Sequence, residues 1–172
     1  IVQALKDAGK KIVFINFSGS AMGLVPESKN CEAILQAWYP GQAGGTAIVD
    51  VLTGEYNPAG RLPVTFYKDT LQLPDFQDYS MQGRTYRYLH SKPLYEFGYG
   101  LSYTTFQYGK ASYDTRSIQM GEDFTFDIPV KNTGNVAGEE VIQVYLRRKA
   151  DKNGPLKSLK TFKRIPFKAG ES

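Results

Sequence analysis

The chain has 172 residues, 41% of them hydrophobic and 22% charged, a composition typical of one large or two small globular domains. A single cysteine, Cys31, excludes an internal disulfide and metal sites built from several thiolates, and the sequence predicts no cofactor and no metal site. There is no run of about 18 apolar residues, so no membrane span and no membrane partner is predicted.

The formal net charge is +4, and most of the excess positive charge lies in the last third of the chain. A nucleic-acid site would need these charges on one face together with stacking aromatic rings. Charged residues on solvated strands are the simpler interpretation, so no nucleic-acid partner is predicted. The basic residues concerned are Arg147, Arg148, Lys149, Lys152, Lys157, Lys160, Lys163, Arg164 and Lys168.

The first part of the chain alternates helical and strand-like patterns, which is typical of an α/β layer. Short continuous apolar runs favour buried parallel strands, and glycines at 9 and 54 are placed to end helices. The first residues lack the shape of a signal peptide, and we expect them to be the last turns of a helix in a longer protein. The predicted elements are a helix ending at Gly9, a strand over 12–15, a weak helix over 21–30, a strand over 33–38, a helix over 44–52 and a strand over 62–66.

Residues 67–93 lose this periodicity and predict an irregular but well-packed connector, because they are rich in Tyr and Arg instead of Gly and Ser. Beyond Tyr103 the pattern becomes alternating, which predicts short antiparallel strands in a β-sandwich. The predicted strands cover 124–130, 140–146 and 160–167, with a turn over 132–135.

Three groups of residues are candidates for chemistry on residue type alone. Ser18 follows a strand as a nucleophile should, but it lacks the G-x-S-x-G pattern and its only histidine partner would be the distant His90, so a structural turn is favoured. Residues 41–45 are glycine-rich and precede a helix, but they have no phosphate-binding lysine, so close packing is favoured. The carboxylates are scattered without a paired motif, and surface positions are the simpler interpretation.

Three longer motifs together resemble glycoside hydrolase family 3. They are Ala-Trp-Tyr-Pro-Gly-Gln-Ala-Gly-Gly at 37–45, Asn-Pro-Ala-Gly-Arg-Leu-Pro at 57–63, and Leu-Tyr-Glu-Phe-Gly-Tyr-Gly-Leu-Ser-Tyr-Thr-Thr-Phe at 94–106. Shorter matches at 83–88, 130–134 and 138–141 extend the resemblance, in order, over almost the whole chain.

The resemblance implies a fold in two parts. Residues 1–75 would be the C-terminal part of an α/β sandwich domain with mostly parallel strands, and 76–102 an aromatic-rich connector. Residues 103–172 would be the N-terminal part of an immunoglobulin-like or fibronectin type III-like all-β sandwich that stops before its last strands. The aromatic motif 94–106 is then interpreted as packing at the junction between the two parts.

The resemblance also implies a retaining, exo-acting β-glycosidase that removes terminal β-glucosyl or β-xylosyl residues from oligosaccharides or aryl β-glycosides. The family's aspartate nucleophile belongs to an N-terminal barrel domain and its acid/base glutamate to a loop upstream of residue 1. We therefore assign no catalytic residue here and expect the segment to be inactive alone. Family members are commonly secreted or periplasmic, whereas the resemblance leaves the oligomeric state and the choice of sugar open.

Five residues are predicted to contact substrate. Ser18 and Ser20 follow a parallel strand, and the carboxyl ends of such strands face ligand crevices, so they are placed in the wall of the sugar pocket. Arg84, Tyr86 and Arg87 lie in the connector, which would run past the same cleft. For both groups, packing between domains is the alternative role and is favoured. A stand-alone β-sandwich module for binding or structure is the alternative function.

Overall fold

A computed structural model describes residues 1–113, 117–119 and 121–172. The helices and strands are short and are joined by long irregular segments. The helices are α1 (Val2–Asp7), α2 (Val25–Asn30), α3 (Gly44–Thr53), a 3-10 helix (Thr70–Gln72) and α4 (Thr85–Tyr88). The strands are β1 (Val13–Asn16), β2 (Ala33–Gln36), β3 (Phe106–Tyr108), β4 (Val130–Asn132), β5 (Gly138–Leu146) and β6 (Ser158–Phe167).

The chain divides into two compact units, each made of several segments. Unit 1 comprises 1–56, 61–100 and 143–162, and unit 2 comprises 57–60, 101–142 and 163–172. Leu24 and Phe66 are buried in unit 1, and Ala59, Val130 and Phe167 are buried in unit 2. The architecture is therefore mixed α/β with short sheets, and β5 and β6 supply residues to both units.

In unit 1, β1 and β2 pair in parallel, with Val13 opposite Ala33 and Asn16 opposite Gln36. The connection between them contains α2, as a parallel pair requires a crossover. Both strands and the α/β pattern were predicted, and the structure confirms them, except that β2 ends at Gln36 and does not continue to residue 38 as predicted. Helix α3 ends at Thr53 and is capped by Gly54, which has a φ of +85° and therefore takes the left-handed conformation that glycine adopts at low cost.

The predicted strand over 62–66 is wrong. Pro63 has no amide hydrogen to give to a sheet, and only Phe66 forms a β-bridge, antiparallel to Tyr95. Leu62 also exchanges backbone hydrogen bonds with residues 98 and 99. This segment therefore pairs with the aromatic motif that follows it in sequence and adds no strand to the parallel pair.

In unit 2, β3 and β4 pair antiparallel, with Phe106 opposite Asn132 and Tyr108 opposite Val130. The predicted strand over 124–130 is confirmed only in part, because β4 begins at Val130 and, before it, only Asp127 forms a β-bridge, antiparallel to Ser112. Phe126 and Ile128 are half-buried and alternate with exposed residues, but none of 124–129 is fully buried and Pro129 lacks an amide hydrogen, so these residues form no continuous strand.

Strands β5 and β6 form the third two-stranded sheet, and both include the ranges predicted for them. Each is a little longer than predicted at its start. Among the residues described, no helix combines the length and apolar character needed to cross a membrane.

Candidate functional site

The carboxyl ends of β1 and β2 are tied together by a network of side-chain amides. Asn16 and Gln36 end the two strands in register, and Asn16 Nδ2 donates to Gln36 Oε1 at 2.6 Å. Asn16 Nδ2 also donates to Ser18 Oγ at 3.0 Å, and Gln36 Nε2 donates to the same oxygen at 3.2 Å. Asn16 is only 5% exposed, so the network fixes this edge of the sheet from within.

Ser18 is the centre of this network. Its side chain is buried, accepts hydrogen bonds from two amides, and donates its own hydrogen to the carbonyl oxygen of Ser20 at 2.9 Å. None of these partners can act as a general base, so the arrangement is that of the structural turn expected from the sequence. Ser20 itself is exposed beside it. The structure thus brings the two predicted serines together at one sheet edge.

The turn after β2 adds an aromatic residue that the sequence analysis did not select. Tyr39 is 79% exposed, and the outer end of its ring lies against Gly19 so closely that a Cβ on Gly19 would be 2.5 Å from Tyr39 Cε2. Trp38, just before it, has a φ of +57°, which is unusual for a bulky residue. The Trp38 ring packs edge-on against Phe66, 6.1 Å between centroids, which holds this conformation in place.

Arg84 is occupied by its own loop. The guanidinium donates to the carbonyl oxygens of Asp75 at 3.1 Å, Asp78 at 2.7 Å and Ser80 at 3.2 Å. Hydrogen bonds from Ser80, together with the positive charge of Arg84, hold the pKa of the Asp78 carboxyl below its usual value. The side chain of Arg84 therefore closes the segment 75–80 upon itself.

Tyr86 and Arg87 lie on α4 and make different contacts. The Tyr86 ring stacks on Phe97 with 4.4 Å between centroids and meets Tyr145 edge-on at 5.8 Å. Its hydroxyl accepts a hydrogen bond from the Leu159 amide at 3.2 Å. Arg87 is exposed, with its guanidinium 5.7 Å from the centre of the Tyr88 ring.

The two predicted groups are not joined to each other. Within the described part of the chain, no hydrogen bond or ring contact connects Ser18 or Ser20 with Arg84, Tyr86 or Arg87. The role of both groups in substrate binding stays a prediction. In the same part of the chain, no three His, Cys, Asp or Glu side chains converge as a metal site would require.

A family model described as the glycosyl hydrolase family 3 C-terminal domain matches residues 1–103. Over 99% of its length the chain is 55% identical to a xylan 1,4-beta-xylosidase from Xylanibacter ruminicola, of which it covers 20%. It is 39% identical to a periplasmic beta-glucosidase from Salmonella typhimurium, again over 99% of the chain and 24% of the relative. The chain thus spans about a fifth to a quarter of the curated relatives it matches.

Solved structures resemble this chain over nearly its whole length. A β-glucosidase from Erythrobacter marinus superposes with a TM-score of 0.85 at 38% identity, covering 98% of this chain and 23% of that one. A β-glucosidase from Listeria innocua in complex with isofagomine superposes with a TM-score of 0.83 at 33% identity, covering 99% and 26%.

Proposed function

Because this chain belongs to glycosyl hydrolase family 3, we propose that it works within a retaining, exo-acting β-glycosidase that removes terminal β-xylosyl or β-glucosyl residues from oligosaccharides or aryl glycosides. The observation that carries this proposal is the 55% identity to a xylan xylosidase over 99% of the chain. Relatives named as glucosidases support the second sugar. The name of the Salmonella relative supports a periplasmic or secreted location.

Within that enzyme, we propose that this chain helps to bind the substrate and that the residues that break the glycosidic bond lie elsewhere. Retention of configuration requires two carboxyl groups about 5–5.5 Å apart on either side of the scissile bond. We place neither of them among these residues. The polar edge at Ser18 and Ser20 instead forms part of the wall that receives the sugar, since hydroxyl and amide groups suit sugar hydroxyls and carboxyl ends of parallel strands are common ligand positions.

For the fold, we propose that 1–75 complete an α/β sandwich domain and that 103–172 begin a fibronectin type III-like sandwich, with 76–102 connecting them. The parallel pair β1–β2 supports the first assignment, and the antiparallel pair β3–β4 supports the second. The family match over 1–103 supports a boundary near Tyr103.

The test compares the full-length gene product with the 172-residue chain on p-nitrophenyl β-xyloside and p-nitrophenyl β-glucoside. We expect the full-length protein to hydrolyse at least one of them and to release the β-anomer first, as followed by proton NMR. We expect the 172-residue chain to release no p-nitrophenol. An inactive full-length protein would overturn the glycosidase proposal, and an inverting one would overturn the retaining mechanism. An active 172-residue chain would overturn the placement of the carboxyl pair elsewhere.

The proposed role of Ser20 in the wall of the sugar pocket is tested by Ser20→Ala in the full-length protein. Losing one neutral hydrogen bond to the sugar should raise KM about fivefold with little change in kcat. Ser28→Ala is the matched control, because Ser28 is also an exposed serine but donates only to the Val25 carbonyl of its own helix. Equal KM values for the two variants would contradict a role for Ser20 in the wall.

A further inference from the structure

The exposed ring of Tyr39 stands beside the polar edge formed by the ends of β1 and β2. We propose that this ring is a stacking platform for one sugar ring of the substrate, an inference that rests on the glycosidase function proposed above. It deepens that proposal because it names the residue that would make the apolar contact with the sugar ring.

The first step is that the position of Tyr39 is fixed although most of its ring is exposed within this chain. The ring is 79% exposed, yet its outer edge rests on the backbone of Gly19, where a single added carbon would be 2.5 Å away. Gly19 is in turn held between Ser18 and Ser20, which the amide network anchors to both strands. A ring that is already placed loses little conformational entropy when a ligand covers it.

The second step concerns the backbone that presents the ring. The left-handed conformation of Trp38, with a φ of +57°, is costly for a bulky side chain and persists because the Trp38 ring packs against buried Phe66. This conformation directs the chain out of β2 immediately before Tyr39. The exposed Tyr39 is thus presented by a strained but well-packed turn. This turn lies at the carboxyl edge of the parallel strands, where ligands commonly bind.

The third step is the chemistry of the surroundings. A pyranose ring has a face of C–H groups that packs on an aromatic ring and a rim of hydroxyls that need hydrogen-bond partners. Tyr39 offers one aromatic face, its ring contacts Gly19, and the residue that follows Gly19 in the chain is the exposed Ser20. One ring beside small polar groups matches a sugar better than a protein partner, whose interface needs a larger apolar centre.

The experiment measures steady-state hydrolysis of xylobiose and cellobiose by the full-length enzyme and its variants. We expect Tyr39→Ala to raise KM for the cleaved disaccharide about tenfold with kcat within twofold, because stacking on the ring is lost. Tyr39→Phe retains the face and should stay within twofold of wild type. Tyr113→Ala is the control, since Tyr113 is 52% exposed in unit 2 and belongs to neither predicted substrate group, and it should leave both constants unchanged.

Gly19→Ala gives an independent test that keeps the tyrosine. The φ of Gly19 lies outside the left-handed region, so alanine suits its backbone, but the new Cβ must displace the Tyr39 ring. KM should rise in this variant as well, and this result decides the matter if Tyr39→Ala does not fold. An active wild type with unchanged KM in Tyr39→Ala or Gly19→Ala, or with a loss in kcat alone, overturns the platform and leaves the glycosidase proposal intact. Wild type that cleaves no β-glycoside overturns both.

Discussion

Phe66 and Tyr95 exchange two backbone hydrogen bonds, 2.9 Å from the Phe66 amide and 3.1 Å from the Tyr95 amide. Their rings also meet edge to face with 6.4 Å between centroids. Four residues before Phe66 and four after Tyr95, the Leu62 amide donates to the Tyr99 carbonyl at 2.8 Å. Two segments about 30 residues apart in sequence, 62–66 and 94–99, therefore form one antiparallel contact inside unit 1.

Replacing Phe66 with alanine should destabilise unit 1 by about 3–5 kcal/mol, because the ring is 1% exposed and contacts both Trp38 and Tyr95. Urea unfolding of the 172-residue chain measures this through Trp38, its single tryptophan. Phe162→Ala is the control, since Phe162 is 66% exposed, and it should change stability by less than about 1 kcal/mol. Similar losses in the two variants would contradict the central position of Phe66.

The pairing of Phe66 with Tyr95 also explains which parts of the fold could be predicted from the sequence. The strands β1 and β2 are continuous apolar runs separated by a crossover, and such local patterns suffice to predict a parallel pair. The segment 62–66 has a similar local pattern, but its partner is the motif beginning at Leu94. Periodicity reports which residues prefer an extended backbone, whereas the choice of partner depends on tertiary contacts far along the chain.

The residues of the candidate site also fall into those that the sequence predicts and those that depend on tertiary contacts. Ser18 and Ser20 could be found because they follow a predicted strand, and the structure places them together. Tyr39 was missed because its significance depends on contact with Gly19, which is 20 positions away in sequence. The signal that could have found it is its position directly after the second parallel strand, inside a motif already used to identify the family.

Asn132 provides a test of unit 2, where it is completely buried at the end of β4. Its Oδ1 accepts from the Thr104 hydroxyl at 2.5 Å, and its Nδ2 donates to the carbonyls of Val136 at 2.8 Å and Lys168 at 3.0 Å. Asn132→Ala leaves these groups without partners, so we expect a loss of about 2 kcal/mol or more in the free energy of unfolding. The exposed Asn135→Ala should cost less than about 0.5 kcal/mol, and a comparable loss there would refute the network.

Arg84→Ala should loosen the loop 75–80 without unfolding unit 1, because the three carbonyls it binds belong to that loop alone. Phe76 and Tyr79 are 90% and 89% exposed in it and are natural chymotrypsin sites. We expect cleavage after these residues to accelerate at least about fivefold under native conditions. Arg87→Ala, which removes an exposed guanidinium near Tyr88, should cleave at the wild-type rate. Equal rates in both variants would show that Arg84 does not hold the loop.

Glu32 should make the stability of unit 1 depend on pH in the acid range. Its carboxylate accepts from the Ile12 amide at 2.6 Å and pairs with Lys6 at 2.9 Å, and these contacts lower its pKa from 4.5 to about 2. Because the folded state has the lower pKa, the stabilisation is complete above about pH 5 and is lost as the pH falls through 2. Glu32→Gln should therefore melt below wild type at pH 7, with the difference in Tm shrinking steadily toward pH 2. The exposed Glu55→Gln should track wild type throughout, and a pH-independent difference for Glu32→Gln would exclude the carboxylate contacts as its cause.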